Sequence, residues 1–154
     1  MTLTLEFVGA EAAAVVRELM LAAFDEYRAV LVVPSSALNE TTEDVAEHLR
    51  LGGGVLARLD GRAIGSGRYQ WREDHVYIGR LSVLPEARGG GIGAAMMEAM
   101  HGLARERGVA EARIGVRTLL PRNIALYERL GYEVTARYKH PRGEEIIVDM
   151  VKRL

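Results

Sequence analysis

Arg88-Gly89-Gly90-Gly91-Ile92-Gly93-Ala94 carries the densest chemical signal in the chain. It stands between two stretches of different periodicity. Upstream, Val76, Ile78, Leu81 and Val83 give Tyr77 to Leu84 the apolar, β-branched character of a strand, and Pro85 ends it. Downstream, Met96, Met97, Met100, Leu103 and Ala104 recur at helical spacing as far as Arg107, and Gly108 supplies a stop. The glycines therefore open a helix. The first amides of a helix have no partner inside it and lie at the positive end of the macrodipole. Glycine removes the Cβ atoms that would hold a ligand off the backbone. Such a junction can cradle a diphosphate, and Arg88 can add charge to it.

Three phosphate-binding patterns compete for this loop, beside the plain alternative of a glycine-rich turn with no ligand. A P-loop needs Lys and then Ser or Thr at the helix start, and neither follows here. A dinucleotide fingerprint can be traced through Gly89, Gly91 and Ala94, but its acidic partner should end the next strand. Glu111, the nearest acid at the right distance, precedes that strand. The third pattern is Arg-x-x-Gly-x-Gly, met by Arg88, Gly91 and Gly93. With its flanks, "RLSVLPEARGGGIGAAMM" resembles the acetyl-CoA-binding motif of the GNAT N-acetyltransferase superfamily. The resemblance implies that Arg88, Gly89, Gly90, Gly91, Ile92, Gly93 and Ala94 hold the CoA pyrophosphate.

It implies further roles elsewhere. In "PRNIALYERLGY", Asn123 and Tyr127 are four apart and so share a helix face. The family's Tyr at this place is the usual general acid. Carried onto Tyr127, the role is protonation of the leaving thiolate. A phenol, with an ordinary pKa of about 10, holds its proton at neutral pH. The common pattern has an Asn seven residues before this Tyr, where this chain has Leu120. Asn123 then either contacts the pantetheine arm from a shifted position or helps start the helix. The resemblance also implies that the strand ending at Val83 splays from its neighbour. The pantetheine would pair with backbone near Leu81, Ser82 and Val83, much as an added strand would. An amide near Val83 would polarise the thioester carbonyl.

The general base is open among His75, Tyr77 and a water chain. Some relatives that acetylate proteins carry Glu on the following strand, where this chain has Gly115. Glu26, Glu40, Glu43 and Asp44 lie in or beside the irregular Arg28 to Glu40 segment, which in the family walls the acceptor pocket. Acids there would suit a cationic amine, and solvated helix-end charges are the plainer reading of each.

These residues need a scaffold, and the order of patterns supplies one. Thr2 to Val8 alternates as a strand, and Glu11 to about Tyr27 reads as an amphipathic helix. Thr41 or Thr42 caps a short helix ended by Gly52-Gly53-Gly54. Asp60-Gly61 turns a hairpin between Val55 to Leu59 and Arg62 to Trp71, with Gly65 and Gly67 weakening the second strand or marking a bulge. After the central strand and its helix come a strand at Ala112 to Arg117 and a helix at Asn123 to Leu130. Strands at Tyr132 to Tyr138 and Glu145 to Val151 close the chain. This succession is similar to the GNAT order from end to end. The expected fold is α/β (α+β): a single domain over residues 1–154 with a mixed, largely antiparallel sheet of about seven strands and helices on both faces.

Composition narrows the function classes. The 154 residues carry a net charge of -1, which argues against a nucleic-acid binder. The absence of Cys excludes thiolate catalysis and suits a cytoplasmic protein. No apolar run approaches the ~18 residues of a membrane span. His48, His75, His101 and His140 show no metal-ligand spacing, so no metal is expected. The expected function is acetyl transfer from acetyl-CoA to a small-molecule or protein amine by direct attack. A non-catalytic acyl-CoA-binding sensor is the alternative. A dinucleotide-binding oxidoreductase is disfavoured by the place of Glu111. Late-strand dimers are frequent in the family, which leaves a homodimer open.

Overall fold

A computed structural model describes residues 2–154. Its strands are β1 (Leu3–Val8), β2 (Gly53–Leu59), β3 (Arg62–Trp71), β4 (Val76–Val83), β5 (Glu111–Arg117), β6 (Glu133–Lys139) and β7 (Ile146–Arg153). They form one seven-stranded sheet in the order β1-β2-β3-β4-β5-β7-β6. β4 and β5 run parallel, and every other neighbouring pair is antiparallel. The helices are α1 (Ala13–Phe24), α2 (Thr42–Leu51), α3 (Ile92–Glu106) and α4 (Pro121–Arg129). The element order is the one expected.

The helices cover both faces. On one face, Met96, Met97, Met100 and Ala104 of α3 pack with Val76 and Ile78 of β4, Ala112, Ile114 and Val116 of β5, and Val148 and Met150 of β7. α4 docks on the same core through Ile124 and Tyr127. On the other face, Ala13, Val16 and Met20 of α1 pack with Val45 and Leu49 of α2. α3 sits low on the sheet because β3 offers it glycines. A Cβ on Gly65 would come within 3.0 Å of the Met96 methyl, and one on Gly67 within 2.9 Å of the Met100 methyl.

Two local expectations shift. The first helix is regular only over Ala13–Phe24, with 3-10 turns at Ala10–Ala12 and Asp25–Ala29. Of Gly52-Gly53-Gly54, only Gly52 stops α2, while Gly53 and Gly54 begin β2. Close approach explains the glycine at 53: it pairs with Tyr69, and a Cβ there would lie 2.3 Å from the Tyr69 hydroxyl. Thr41 is the cap of α2. Its hydroxyl accepts from the Asp44 amide while the Asp44 carboxylate accepts from the Thr41 amide. No helix among the described residues is long and apolar enough to cross a membrane.

Candidate active site

α3 begins at the glycine loop, and its first turn is left open. Its cap is Gly91, in the left-handed region with φ 77°, and no side chain caps the helix. The first backbone bond runs from the Ala95 amide to the Gly91 carbonyl, 3.0 Å. The amides of Ile92, Gly93 and Ala94 therefore have no acceptor among the described residues. They face a cavity of about 740 Å³. Leu81, Val83, Arg88, Gly89, Gly91, Ile92, Gly93, Ala94 and Asn123 all line it, so the structure brings most of the sequence-predicted ligand residues onto one wall. Gly90 is in the turn but off the wall.

The other wall comes from the end of α1 and the segment after it. Ala23, Glu26, Tyr27 and Val30 close over the loop. Arg88 ties the two sides together: its guanidinium donates to the Glu26 carboxylate and to the carbonyls of Val83, at 3.1 Å, and Ala23, at 3.4 Å. Arg88 is thus already held at the mouth of the cradle.

Below the cradle the sheet opens. β4 and β5 pair only at Val76 with Ala112 and at Tyr77 with Arg113, although β4 continues to Val83 and β5 to Arg117. A bulge bends β4 away. Arg68 pairs with Gly79 and Ser66 with Ser82, so Arg80 and Leu81 together oppose Gly67. Arg80 takes φ 52°, which costs a non-glycine residue about 1–2 kcal/mol. The conformation is held by a partly buried network. The Arg80 guanidinium donates to Glu40 at 2.7 Å and to the Ser36 hydroxyl at 3.0 Å. Glu40 also takes a bidentate pair from Arg68 at 2.8 and 2.9 Å.

Burial alone would raise the Glu40 carboxyl, but the hydrogen bonds and charges of Arg68 and then Arg80 outweigh it and hold it below the usual range. A depressed carboxyl adds stability above its unfolded pKa of about 4.3 and loses it as pH falls through the lower folded value. Glu40→Gln leaves the buried Arg68 without its charge partner and is expected to cost about 3 kcal/mol at pH 7. Urea unfolding measures it: the gap from wild type should narrow as pH falls below about 4. A gap independent of pH would refute the assignment.

The bulge also decides which way β4 side chains point. Leu81 and Val83 face the cavity. The Ser82 side chain points to the other face, 1% exposed, and its hydroxyl donates to the Arg80 carbonyl at 3.0 Å. Ser82 can serve a ligand in the gap only through its backbone.

Tyr127 lies one turn beyond Asn123 on α4. Its ring packs edge-on to Tyr132, 5.9 Å between centroids. The Tyr132 hydroxyl is engaged with His101 at 2.6 Å, whereas the Tyr127 hydroxyl makes no hydrogen bond among the described residues. Burial raises the Tyr127 phenol well above its ordinary value, and the nearby phenols of Tyr27 and Tyr77 raise it further. Asn123 is the third residue of α4 and not its cap. The cap is Leu120, which makes no side-chain cap bond, with Pro121 in the first turn. The Asn123 side chain also makes no hydrogen bond among the described residues, and it lines the cavity.

The base candidates lie on the far face. His75 and Tyr77 line a second cavity of about 420 Å³, with Thr135 and Asp149. The His75 ring is anchored at 2.7 Å to Asp74. Desolvation chiefly raises the Tyr77 phenol, so it keeps its proton at neutral pH and is not a ready base. Three of the four acids expected near the acceptor are otherwise engaged, Glu26 with Arg88, Glu40 with two arginines and Asp44 in its cap, and Glu43 is exposed in the first turn of α2. Asp149 and Tyr138, on this far face, carry no local sequence signal. No group of three or more metal-ligating side chains occurs among the described residues.

Solved structures share this arrangement of elements. The PaiA N-acetyltransferase from Thermoplasma acidophilum, in complex with coenzyme A, superposes with a TM-score of 0.85 at 16% identity over 100% of both chains. The ribosomal-protein-S18-alanine N-acetyltransferase from Escherichia coli gives 0.80 at 19% identity, covering 99% of this chain and 94% of that one. YncA from Salmonella typhimurium, with its cofactor acetyl-CoA, gives 0.78 at 19% identity over 100% of this chain and 95% of that one. No curated protein matches the sequence at a significant level. The model of the acetyltransferase (GNAT) family matches residues 16–132, a stretch that holds the bulged strand, the glycine loop and Tyr127. With the open helix start and the splayed parallel strands beside it, that match means that the chain belongs to the GNAT acetyltransferase family.

Proposed function

We propose that the chain transfers the acetyl group of acetyl-CoA to a primary amine by direct attack, without an acyl-enzyme. The observation that carries this reading is the alignment of the acceptor-free amides at Ile92 to Ala94 with the β4–β5 gap on one cavity wall. Acetyl-CoA supplies an activated thioester. The α3 amides and Arg88 bind its diphosphate. Leu81 and Val83 offer backbone to its pantetheine arm, and Asn123 adds a polar contact. Holding both reactants in one gap converts a bimolecular encounter into a local one. As the amine nitrogen bonds to the acetyl carbon, the carbon–sulfur bond breaks and its electron pair stays on sulfur. Tyr127 gives sulfur its proton. The acceptor arrives as an ammonium and loses one proton to solvent before attack, which frees the nitrogen lone pair; after attack the nitrogen loses a second proton, which restores Tyr127 through water.

Fusion of the two roles in one site is testable directly. Isothermal titration should give micromolar acetyl-CoA binding and none with NAD. Absence of acetyl-CoA binding would overturn the reading. Binding without turnover of any amine would favour an acyl-CoA sensor.

A further inference from the structure

We propose that Asp149 seats the ammonium group of the acceptor on the far face of the β4–β5 gap, and that the acceptor is a slim, unbranched alkylamine. The inference rests on the acetyl-transfer reading above and assigns that site its acceptor class.

The gap lets a group held from one face of the sheet be reached from the other. On the α3 face lies the cradle, with Leu81 and Val83. On the far face the gap is bordered by Tyr77, Gly115 and Asp149. Gly115 and Asp149 are direct cross-strand partners. A Cβ on Gly115 would lie 3.2 Å from the Tyr77 hydroxyl and 3.8 Å from an Asp149 carboxylate oxygen. Both oxygens thus border the space that the missing side chain leaves. The Tyr138 hydroxyl, from β6, donates to the same Asp149 oxygen at 3.1 Å. Asp149 also lines the 420 Å³ cavity that opens on this face.

Charge distinguishes Asp149 from the other acids nearby. Arg113 is taken by Glu111 at 3.2 Å and Asp74 at 3.3 Å. Arg80 is taken by Glu40, and Arg117 by Glu145 at 2.5 Å. The His75 ring belongs to Asp74. Lys139, on β6, is paired with Glu144. Asp149 forms no ion pair among the described residues, and its one side-chain partner there is a neutral phenol. Arg113 lines the same cavity and its charge reaches Asp149, but its guanidinium is bonded to Glu111 and Asp74, so the half-buried Asp149 carboxylate keeps hydroxyls as its direct neighbours and can seat an ammonium group. Tyr77 and Asp149 border the far-face cavity, while Tyr127 packs on the core beneath α3, so this seat and the proposed acid approach the gap from opposite faces of the sheet. The absence of a side chain at Gly115 admits a narrow methylene arm, and a branched one would meet Tyr77.

The test is steady-state acetylation of butylamine and 1,4-diaminobutane by wild type, Asp149→Asn, Asp149→Glu and Gly115→Val, with acetyl-CoA affinity measured in parallel. Loss of a charge-assisted bond to the ammonium should raise KM for the amine about ten- to a hundredfold in Asp149→Asn. Acetyl-CoA affinity should stay within about twofold, since Asp149 is absent from the cofactor wall. Asp149→Glu should recover most of the loss. Gly115→Val, compatible with a strand, should lower kcat/KM by filling the space beside Tyr77 and Asp149 while leaving the Asp149 charge in place. An unchanged KM in Asp149→Asn overturns the proposal. So does a wild type that binds acetyl-CoA but acetylates neither amine. Failure of wild type to bind acetyl-CoA overturns the transfer reading instead.

Discussion

Gly91→Glu is expected to abolish acetyl-CoA binding, weakening it at least about a hundredfold, while the protein stays folded. Gly91 caps α3 at φ 77°, and a Cβ there meets nothing within 4 Å. The new side chain therefore has room, but it brings a carboxylate to the helix end whose dipole would bind the diphosphate. The left-handed conformation adds strain of about 1–2 kcal/mol, which alone could lower apparent affinity by destabilising the loop. The other end of the same helix supplies the control. Gly108 has φ 75°, and a Cβ there also meets nothing within 4 Å. Gly108→Glu carries the same strain and the same charge but stands far from the cradle along α3. Both variants should lose similar thermal stability. Calorimetry should find acetyl-CoA binding intact in Gly108→Glu and missing in Gly91→Glu. Retained affinity in Gly91→Glu would remove the cradle from the mechanism.

Features that depend on local conformation were legible in the residues. Gly91 and Gly108 mark the two ends of α3 because each end needs a left-handed residue there. Asp60-Gly61 marks the β2–β3 turn for the same reason, with both residues at positive φ. Thr41 and Asp44 mark the start of α2 through bonds spanning three residues. The residues expected around the loop share one cavity wall, because a strand, a turn and a helix in sequence also lie side by side in space.

Features built by pairing distant strands were not legible. The bulge in β4 rests on Arg80 at φ 52°, a conformation that arginine does not advertise, and on Glu40, forty residues earlier. It turns Ser82 away from the cavity, though the run Leu81-Ser82-Val83 reads as one stretch. The partners of Glu40 and Glu26 are arginines from other elements, so acids that suggest an acceptor pocket prove to be committed to holding the scaffold. Asp149 shows the converse. In sequence it is one polar residue in the closing strand. Only the β5–β7 register sets it against Gly115, and only the glycine leaves it accessible.

Tyr127→Phe is expected to lower kcat roughly a hundredfold, the lower end of what a positioned acid contributes, with acetyl-CoA affinity within about twofold of wild type. The hydroxyl makes no hydrogen bond among the described residues, so removing it breaks no native contact. The ring keeps its edge-on packing against Tyr132, 5.9 Å away. Stability should therefore hold, which separates this variant from a packing defect. The acid role must also answer a question of proton affinity. Burial raises the Tyr127 phenol, which on its own makes proton donation harder. The same desolvation raises a thiol in apolar surroundings, so the thiolate expelled beside Tyr127 becomes a stronger base too. The balance between them is thereby kept close, and the proton moves as negative charge gathers on sulfur. An acyl donor with a less basic leaving group tests this balance. Acetyl transfer from a p-nitrophenyl ester, whose leaving phenolate needs no proton at neutral pH, should be nearly insensitive to Tyr127→Phe. Equal losses with both donors would assign Tyr127 to positioning, and wild-type turnover with acetyl-CoA would leave it as packing alone.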